Sequence, residues 1–267
     1  MSDVVASRSV LIEVLTILGK DLDKLVIVGG WVPDLAFPFK GHIGSIDVDL
    51  ALDATKLKPM AYESIGRKLV DAGYCQSADK TNQFIRTIRG TNLQVKVDLI
   101  TGEFPQFASE DDHIVIQELA IWKARGVDLA FMFQQEVAVE GTLPDGGHNK
   151  VFAKIPTIPA FLCIKAITLS ERKKEKDAYD IYFCVDNYSG GYKALANEFQ
   201  GKLDNPIIAE GIAILREKFS TIDSIGPLWA AQAAEEATAG TSFDIEMEQR
   251  RAFELVNALL RELDNSG

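Results

Sequence analysis

A short segment with two alternating aspartates constrains this chain more than any other stretch does. Residues 45–52 read Ser-Ile-Asp-Val-Asp-Leu-Ala-Leu, and this two-residue period predicts a β-strand with Asp47 and Asp49 on one face. The opposite, buried face is expected to carry Ile46, Val48 and Leu50. Two carboxylates that project the same way repel each other unless water or a cation lies between them. A hard divalent cation such as Mg²⁺ suits this spacing, and an acidic, solvated strand face is the alternative.

A glycine pair lies upstream of this strand, between a predicted strand and a predicted short helix. Residues 25–28 are Leu-Val-Ile-Val, which predicts a buried strand that runs into Gly29 and Gly30 and then into a short helix near Pro33. After a strand, a glycine pair and a helix N-terminus can present backbone N–H groups to a phosphate, and glycine lets the ligand approach closely. A tight turn without a ligand gives the same local pattern.

A further carboxylate lies on a predicted hairpin. Residues 84–89 and 93–100 read as two strands around the turn sequence Gly90-Thr91-Asn92. In the return strand Asp98 is flanked by apolar residues, as Asp47 and Asp49 are. The alternative is a surface residue on an edge strand.

The rest of the N-terminal half contains less distinctive elements. The pattern predicts helices over residues 4–18 and 57–72 and strands over 136–139 and 150–155. The second helix is expected to be capped by Asp53 and Thr55, and to bury Met60, Ile65 and Leu69. Residues 114–135 begin with a helical pattern and then become mixed. The histidines have no partner at ligand spacing and are expected on the surface: His42, His113 and His148.

After Pro159 the pattern changes to helices alone. They are predicted over residues 160–170, 176–185, 192–199, 207–219 and 243–263, with a weaker helix over 230–240. The change near 156–159 predicts a strand-containing domain over residues 1–155 and a helical domain over 156–267.

Composition and charge exclude several classes of protein. The net charge of −11 argues against a broad, sequence-independent nucleic-acid surface, because such binding needs clustered Lys and Arg. The three cysteines, Cys75, Cys163 and Cys184, are far apart and suggest neither a zinc site nor a disulfide framework. No segment reads as a signal peptide or as a membrane span. A cytoplasmic protein without a membrane partner is therefore expected.

Taken in order, these segments match a known pattern. With residues 28–30 (Val-Gly-Gly), 45–50 (Ser-Ile-Asp-Val-Asp-Leu) and 96–99 (Lys-Val-Asp-Leu), the chain resembles the nucleotidyltransferase superfamily, the DNA polymerase β-like fold. A further segment runs from Lys165 through Arg172 to Lys-Asp-Ala-Tyr-Asp at 176–180. This segment resembles the helical motif of the AbiEii-type nucleotidyltransferase toxins of type IV toxin–antitoxin systems. The chain departs from the common pattern in the 16 residues between Gly30 and Asp47, in Gly30 where Ser is frequent, and in Ile43 where many relatives have Arg.

The resemblance implies an α+β fold, with a small mixed sheet flanked by helices and then a helical region. It also implies a role for each motif residue. Asp47, Asp49 and Asp98 would hold Mg²⁺, as a two-ion site, and Asp98 would help to deprotonate the attacking hydroxyl. The other assigned residues would bind the nucleotide: Gly29 and Gly30 its phosphates, Lys165 the triphosphate, and the Lys176–Asp180 pair by orienting a basic group. For residues 165–180, a solvated helix face with alternating charges is the alternative.

The leading hypothesis is therefore an Mg²⁺-dependent enzyme that moves a nucleotide from an NTP to an acceptor hydroxyl. The resemblance suggests a tRNA 3′ end or a protein side chain as acceptor, and an antitoxin as a partner. An aminoglycoside-like small molecule is a second acceptor, mildly favoured by the acidic charge of the chain. A non-catalytic module that binds a nucleotide without turnover is the hypothesis from a different class.

Overall fold

The computed structural model describes residues 2–56, 59–103, 113–116, 119–238 and 243–265. They fall into two compact units. The first unit comprises Met1–Ala36 and Ile43–Pro156, and the second comprises Phe37–His42 and Thr157–Gly267. The sequence pattern did not indicate that residues 37–42 pack with the helical unit. The predicted helix start at Leu57, the burial of Met60 and the predicted helix end at Gly240 lie outside the described residues.

Strands β1 to β7 form one mixed sheet in the first unit. They are β1 Leu25–Val28, β2 Val48–Leu52, β3 Cys75–Gln76, β4 Gln83–Thr87, β5 Gln94–Thr101, β6 His113–Ile116 and β7 Leu119–Lys123. The order is β1-β2-β5-β4-β3, with β7 beside the end of β5 and β6 beside β7. β5 pairs in parallel with β2 and with β7, and the other pairs are antiparallel. This sheet, with its helices and the helical second unit, confirms the predicted α+β class.

The apolar residues of β2 and β5 build the centre of this sheet. Val48 and Leu50 of β2 and Val97 and Leu99 of β5 are fully buried. Because side chains alternate along a strand, a slip of one residue would turn these side chains away from the core. The apolar pattern therefore disfavours a slip of one residue between the two strands.

Helices and a second hairpin complete the first unit. They are α1 Asp3–Ile17, α2 Val32–Ala36, α3 Pro59–Asp71, α4 Asp128–Met132, β8 Gln134–Thr142 and β9 His148–Pro156. Helix α1 packs on β5 and on the β8–β9 hairpin. It is also tied to the sheet by Glu13, which accepts two hydrogen bonds from Arg86 of β4 and one from the Tyr74 hydroxyl. Helix α3 buries Ile65 and Leu69, as predicted.

Two local predictions for the first unit need correction. The segment expected to begin as a helix at residue 114 forms the paired strands β6 and β7 instead, and α4 is the helix among the described residues of this stretch. Its strand character comes from pairing of β7 with the distant β5, at Ile100 and Trp122, which local periodicity cannot show. Asp53 does not cap a described helix. Its buried carboxylate accepts hydrogen bonds from the backbone and hydroxyl of Thr55 and pairs with Lys56.

The second unit consists of helices in the residues that the structure describes. They are α5 Ile158–Glu171, α6 Glu175–Asn187, α7 Gly191–Glu198, α8 Pro206–Lys218, α9 Ile225–Ala237 and α10 Ile245–Asn265. Helix α9 is longer than the weak helix predicted there. Helix α5 is buried almost all round, which fits its near-continuous apolar sequence. Among the helices in the described part of the chain, none has both the length and the hydropathy that a bilayer crossing requires.

A close helix contact in the second unit depends on one glycine. A Cβ atom added to Gly211 of α8 would lie 2.5 Å from the Cβ and 2.7 Å from the Cα of Cys163 in α5. Real Cβ atoms do not approach a neighbouring backbone so closely. Gly211 therefore lets α5 and α8 pack almost backbone to backbone.

We expect Gly211→Ala to lower the free energy of unfolding by about 1–3 kcal/mol, because α5 and α8 must move apart to admit the methyl group. Gly19→Ala is the matched control, since a Cβ there meets nothing within 4 Å. The control should stay within about 0.5 kcal/mol of the wild type. Urea denaturation followed by circular dichroism measures both variants, and an unchanged Gly211→Ala midpoint would contradict the packing argument.

Candidate functional site

Two of the predicted site aspartates lie side by side in the first unit. The parallel register pairs Asp49 of β2 with Asp98 of β5. Neighbouring strands are about 4.8 Å apart and paired residues project to the same face of a sheet. Both residues are partly exposed at this point. Strand β5 has β2 on one side and β4 on the other, so Asp98 does not lie on an edge strand.

Asp47 occupies a different local structure from the one predicted. Strand β2 begins at Val48, so Asp47 lies in the bend before it. Ile46 was expected on the buried face but is 57% exposed. Strand pairing therefore does not fix Asp47 as it fixes Asp49 and Asp98. The alternation of the sequence continues through residues 46 and 47, but the ladder of hydrogen bonds does not reach them.

The backbone at Gly29 lies close to the side chain of Asp49. Strand β1 ends at Val28, which pairs with Asp49, and a short 3₁₀ turn over Gly29–Trp31 leads into α2. A Cβ atom on Gly29 would lie 2.0 Å from Oδ2 of Asp49, and the φ angle of Gly29 is +69°. Glycine is required here both for the backbone conformation and for the space that the carboxylate occupies. Gly30 is buried beside it.

Asp49 and Asp98 meet some of the requirements for binding a hard divalent cation. No group of three His, Cys, Asp or Glu side chains within the described ranges is gathered closely enough to hold a metal ion. Mg²⁺, however, is usually bound through one or two carboxylates together with waters and substrate phosphates. Asp49 and Asp98 supply two such carboxylates, and Gly29 lies against the first of them. The involvement of Asp47 and the two-ion arrangement stay predictions.

In the second unit, the predicted nucleotide-binding residues form a buried ionic cluster. Nζ of Lys165 lies 2.7 Å from Oδ1 of Asp177 and 2.7 Å from Oδ2 of Asp180. Asp180 is fully buried and also pairs with Lys176 at 3.0 Å. Arg172 donates to both oxygens of Asp177. The alternative of a solvated helix face is therefore wrong for Lys165, Asp177 and Asp180.

The opposite charges of this cluster keep it ionised despite its burial. Burial alone would raise the pKa of Asp180, but the ammonium groups of Lys165 and Lys176 hold that pKa well below its usual range. Burial alone would lower the pKa of Lys165, but Asp180 and Asp177 raise it above its usual range. In this state the Lys165 ammonium donates to carboxylates of its own unit. Its contact with a triphosphate stays a prediction, as do nucleotide contacts of Lys176 and Asp180.

The expectation that His42 is a surface residue is wrong. Its side chain is fully buried, and its Nε2 atom lies 2.9 Å from Oδ1 of Asp180. The imidazole stacks on Tyr179, with ring centroids 5.4 Å apart, and meets the edge of Phe183 at 4.8 Å. Local sequence gave no signal, because the partner carboxylate is 138 residues away. His113 and His148 begin strands β6 and β9, and His148 is exposed.

The similarity of this chain to known proteins lies in its fold. No protein-family model matches the chain, and no curated protein matches it. The solved structure of JHP933 from Helicobacter pylori matches 95% of this chain and 91% of its own chain, with a TM-score of 0.50 and 12% identity. A second H. pylori structure, of a protein named as a nucleotidyltransferase candidate, matches 96% and 95% with a TM-score of 0.49 and 11% identity. The likeness to JHP933 shows a shared fold, and neither likeness says anything about activity.

We expect Asp180→Asn to lower the free energy of unfolding by about 3–5 kcal/mol, because it leaves buried cations without their shared carboxylate. Asp186→Asn on the same helix is the control. Asp186 pairs with Arg251, whose side chain is 54% exposed, so this change should cost less than about 1 kcal/mol. Chemical denaturation at pH 7 measures both. Equal losses in the two variants would show that the buried cluster contributes no more than a surface pair.

The same cluster predicts a dependence of stability on pH. The pKa of Asp180 is lower in the folded chain than its unfolded value of about 3.9. Its contribution is therefore complete above about pH 4 and is lost as the pH falls through the folded pKa. The stability difference between wild type and Asp180→Asn should shrink as the pH falls from 5 to 2. Denaturation midpoints across this range test the sign, and a difference that grows towards acid would refute it.

Proposed function

We propose that this chain is an Mg²⁺-dependent nucleotidyltransferase that moves a nucleoside monophosphate from an NTP to an acceptor hydroxyl. The observation that carries the proposal is the register that places Asp49 beside Asp98, with the Asp49 carboxylate packed against Gly29. Paired carboxylates beside a strand–glycine–helix turn are what phosphoryl chemistry on a nucleotide needs. The resemblance of the three sequence motifs to the nucleotidyltransferase superfamily supports the same reading.

Each candidate site residue of the first unit has a chemical role in the proposed reaction. Asp49 and Asp98, with Asp47, would hold the divalent cation, which when bound neutralises charge on the phosphates of the substrate. The backbone N–H groups of Gly29 and Gly30 would face the β- and γ-phosphates. The acceptor oxygen attacks the α-phosphorus as the bond to pyrophosphate breaks. Asp98 would take the proton that the hydroxyl loses.

The acceptor and the biological role belong to the proposal as well. A tRNA 3′ end or a protein side chain is the acceptor that the toxin-like motifs favour, and a cationic small molecule is the alternative. The net charge of −11 favours an antitoxin partner with a basic surface, if the chain acts as a toxin. For Lys165 and the Lys176–Asp180 pair, a role in nucleotide binding is proposed from the sequence resemblance alone.

A second function is favoured by one observation. Because no three candidate ligands are gathered in the described part of the chain, a module that binds an NTP without turnover is consistent with the same site. The two functions differ in whether a label on the α-phosphate leaves the nucleotide.

We expect Asp49→Asn and Asp98→Asn each to reduce transfer by at least about 100-fold, because each removes charge stabilisation worth several kcal/mol. The wild type is incubated with α-³²P-labelled NTPs, Mg²⁺ and total tRNA, whole-cell protein or an aminoglycoside. The acceptor that gains label identifies the substrate class. Asp71→Asn is the control, because its carboxylate is 73% exposed on α3, and it should transfer at the wild-type rate.

Two results would overturn this assignment. Wild-type activity in Asp49→Asn would remove the proposed site. Tight NTP binding by the wild type with no transfer to any acceptor would establish the non-catalytic module.

A further inference from the structure

A buried glutamine lies directly beside Asp98 and has no role in the scheme above. Gln83 begins β4 and pairs in register with Asp98 across the antiparallel ladder. Its Nε2 atom donates a hydrogen bond of 2.8 Å to Oδ1 of Asp98. Gln83, Asp98 and Asp49 therefore form one row across three neighbouring strands.

Burial of a side-chain amide at this position costs free energy. Gln83 is only 8% exposed, and a buried polar group costs free energy unless it is hydrogen-bonded. An apolar side chain of the same length would fill this space without that cost. The bond to Asp98 is thus what the amide provides. It engages Oδ1 and limits rotation of the carboxylate, while Oδ2 lies outside the bond.

The backbone next to Gln83 is held to β5 by two hydrogen bonds between Asn82 and Leu99. The backbone oxygen of Asn82 accepts a hydrogen bond from the N–H of Leu99, at 2.9 Å. The side-chain amide of Asn82 donates to the carbonyl oxygen of Leu99, also at 2.9 Å. Asn82 is 3% exposed. These two bonds fix the start of β4 next to Asp98 and so fix the origin of the Gln83 side chain.

We propose that Gln83 is a positioning residue for Asp98. Its amide N–H holds one carboxylate oxygen so that the other is presented to the divalent cation of the proposed reaction. Groups that orient a metal-binding carboxylate in this way typically contribute 10- to 100-fold to metal affinity. The inference rests on the proposed function for the identity of the cation and on the observed hydrogen bond for the identity of the residue.

The test measures cation affinity directly, with Mn²⁺ as the probe. Electron paramagnetic resonance of free Mn²⁺ gives the dissociation constant for the full chain without a nucleotide or an acceptor. Gln83→Met keeps the length of the side chain and removes the donor, and we expect it to weaken Mn²⁺ binding by about 10- to 100-fold. The urea midpoint of unfolding should stay close to that of the wild type, because a single hydrogen bond contributes little net stability.

The control variant is Gln94→Met, at the other end of the β4–β5 ladder. Gln94 is exposed and pairs with Thr87, so its removal should leave Mn²⁺ affinity unchanged. Asp98→Asn should weaken binding at least as much as Gln83→Met does. Equal affinity in wild type and Gln83→Met would overturn the inference, as would a loss of the same size in Gln94→Met.

Parallel transfer assays separate this inference from the proposed function. Mn²⁺ binding that depends on Gln83, in a chain that transfers no label, supports the positioning role and overturns the enzymatic proposal. Transfer that persists at the wild-type rate in Gln83→Met, together with unchanged Mn²⁺ affinity, supports the enzyme and overturns the role of Gln83. A wild type that binds no Mn²⁺ overturns both.

Discussion

The parallel pairing of β2 with β5 is the constraint on which the candidate site depends. Two carboxylates at neighbouring positions repel each other, and an isolated chain would keep them apart. They are held together in the observed register, in which Val48, Leu50, Val97 and Leu99 are fully buried and from which a slip of one residue would expose them. The apolar core thus holds the two aspartates at paired positions of neighbouring strands. The cation of the proposed function would offset the repulsion between their carboxylates.

In the second unit, by contrast, the buried charges are neutralised by opposite charges of the same unit. Lys165 of α5 joins Asp177 and Asp180 of α6, and Asp180 in turn joins His42. Desolvation of so many charges is costly, and their mutual attraction mainly offsets that cost. Any partial version of the cluster would leave an uncompensated charge. The cluster therefore specifies how α5, α6 and the 37–42 segment pack, more than it adds net stability.

Local pattern was sufficient for most elements and for the class of the fold. The alternation around Asp98 predicted β5 and its hairpin, and the apolar pattern at 160–170 predicted α5. Pattern failed where a distant partner decided the outcome. The β6–β7 strand pair depends on pairing with β5, and the burial of His42 depends on a carboxylate 138 residues away. The sequence did not indicate a role for Gln83, because no neighbouring residue marks it as a partner of Asp98. The sequence predicted Lys165 as a nucleotide ligand. It did not show that two carboxylates of the same unit surround the Lys165 ammonium group.

The sequence by itself determined which residue types are available: aspartates on strands, glycines after β1, and a charged motif on α5 and α6. Periodicity assigned most of them to strands and helices, because local side-chain alternation is a property of the chain alone. Only the tertiary structure decided which of these groups meet. It set Asp49 beside Asp98, left Asp47 outside the strand, and closed Lys165 into an ionic cluster. The physical reason is that register and burial depend on contacts between residues far apart in the chain, and no local pattern encodes those distances.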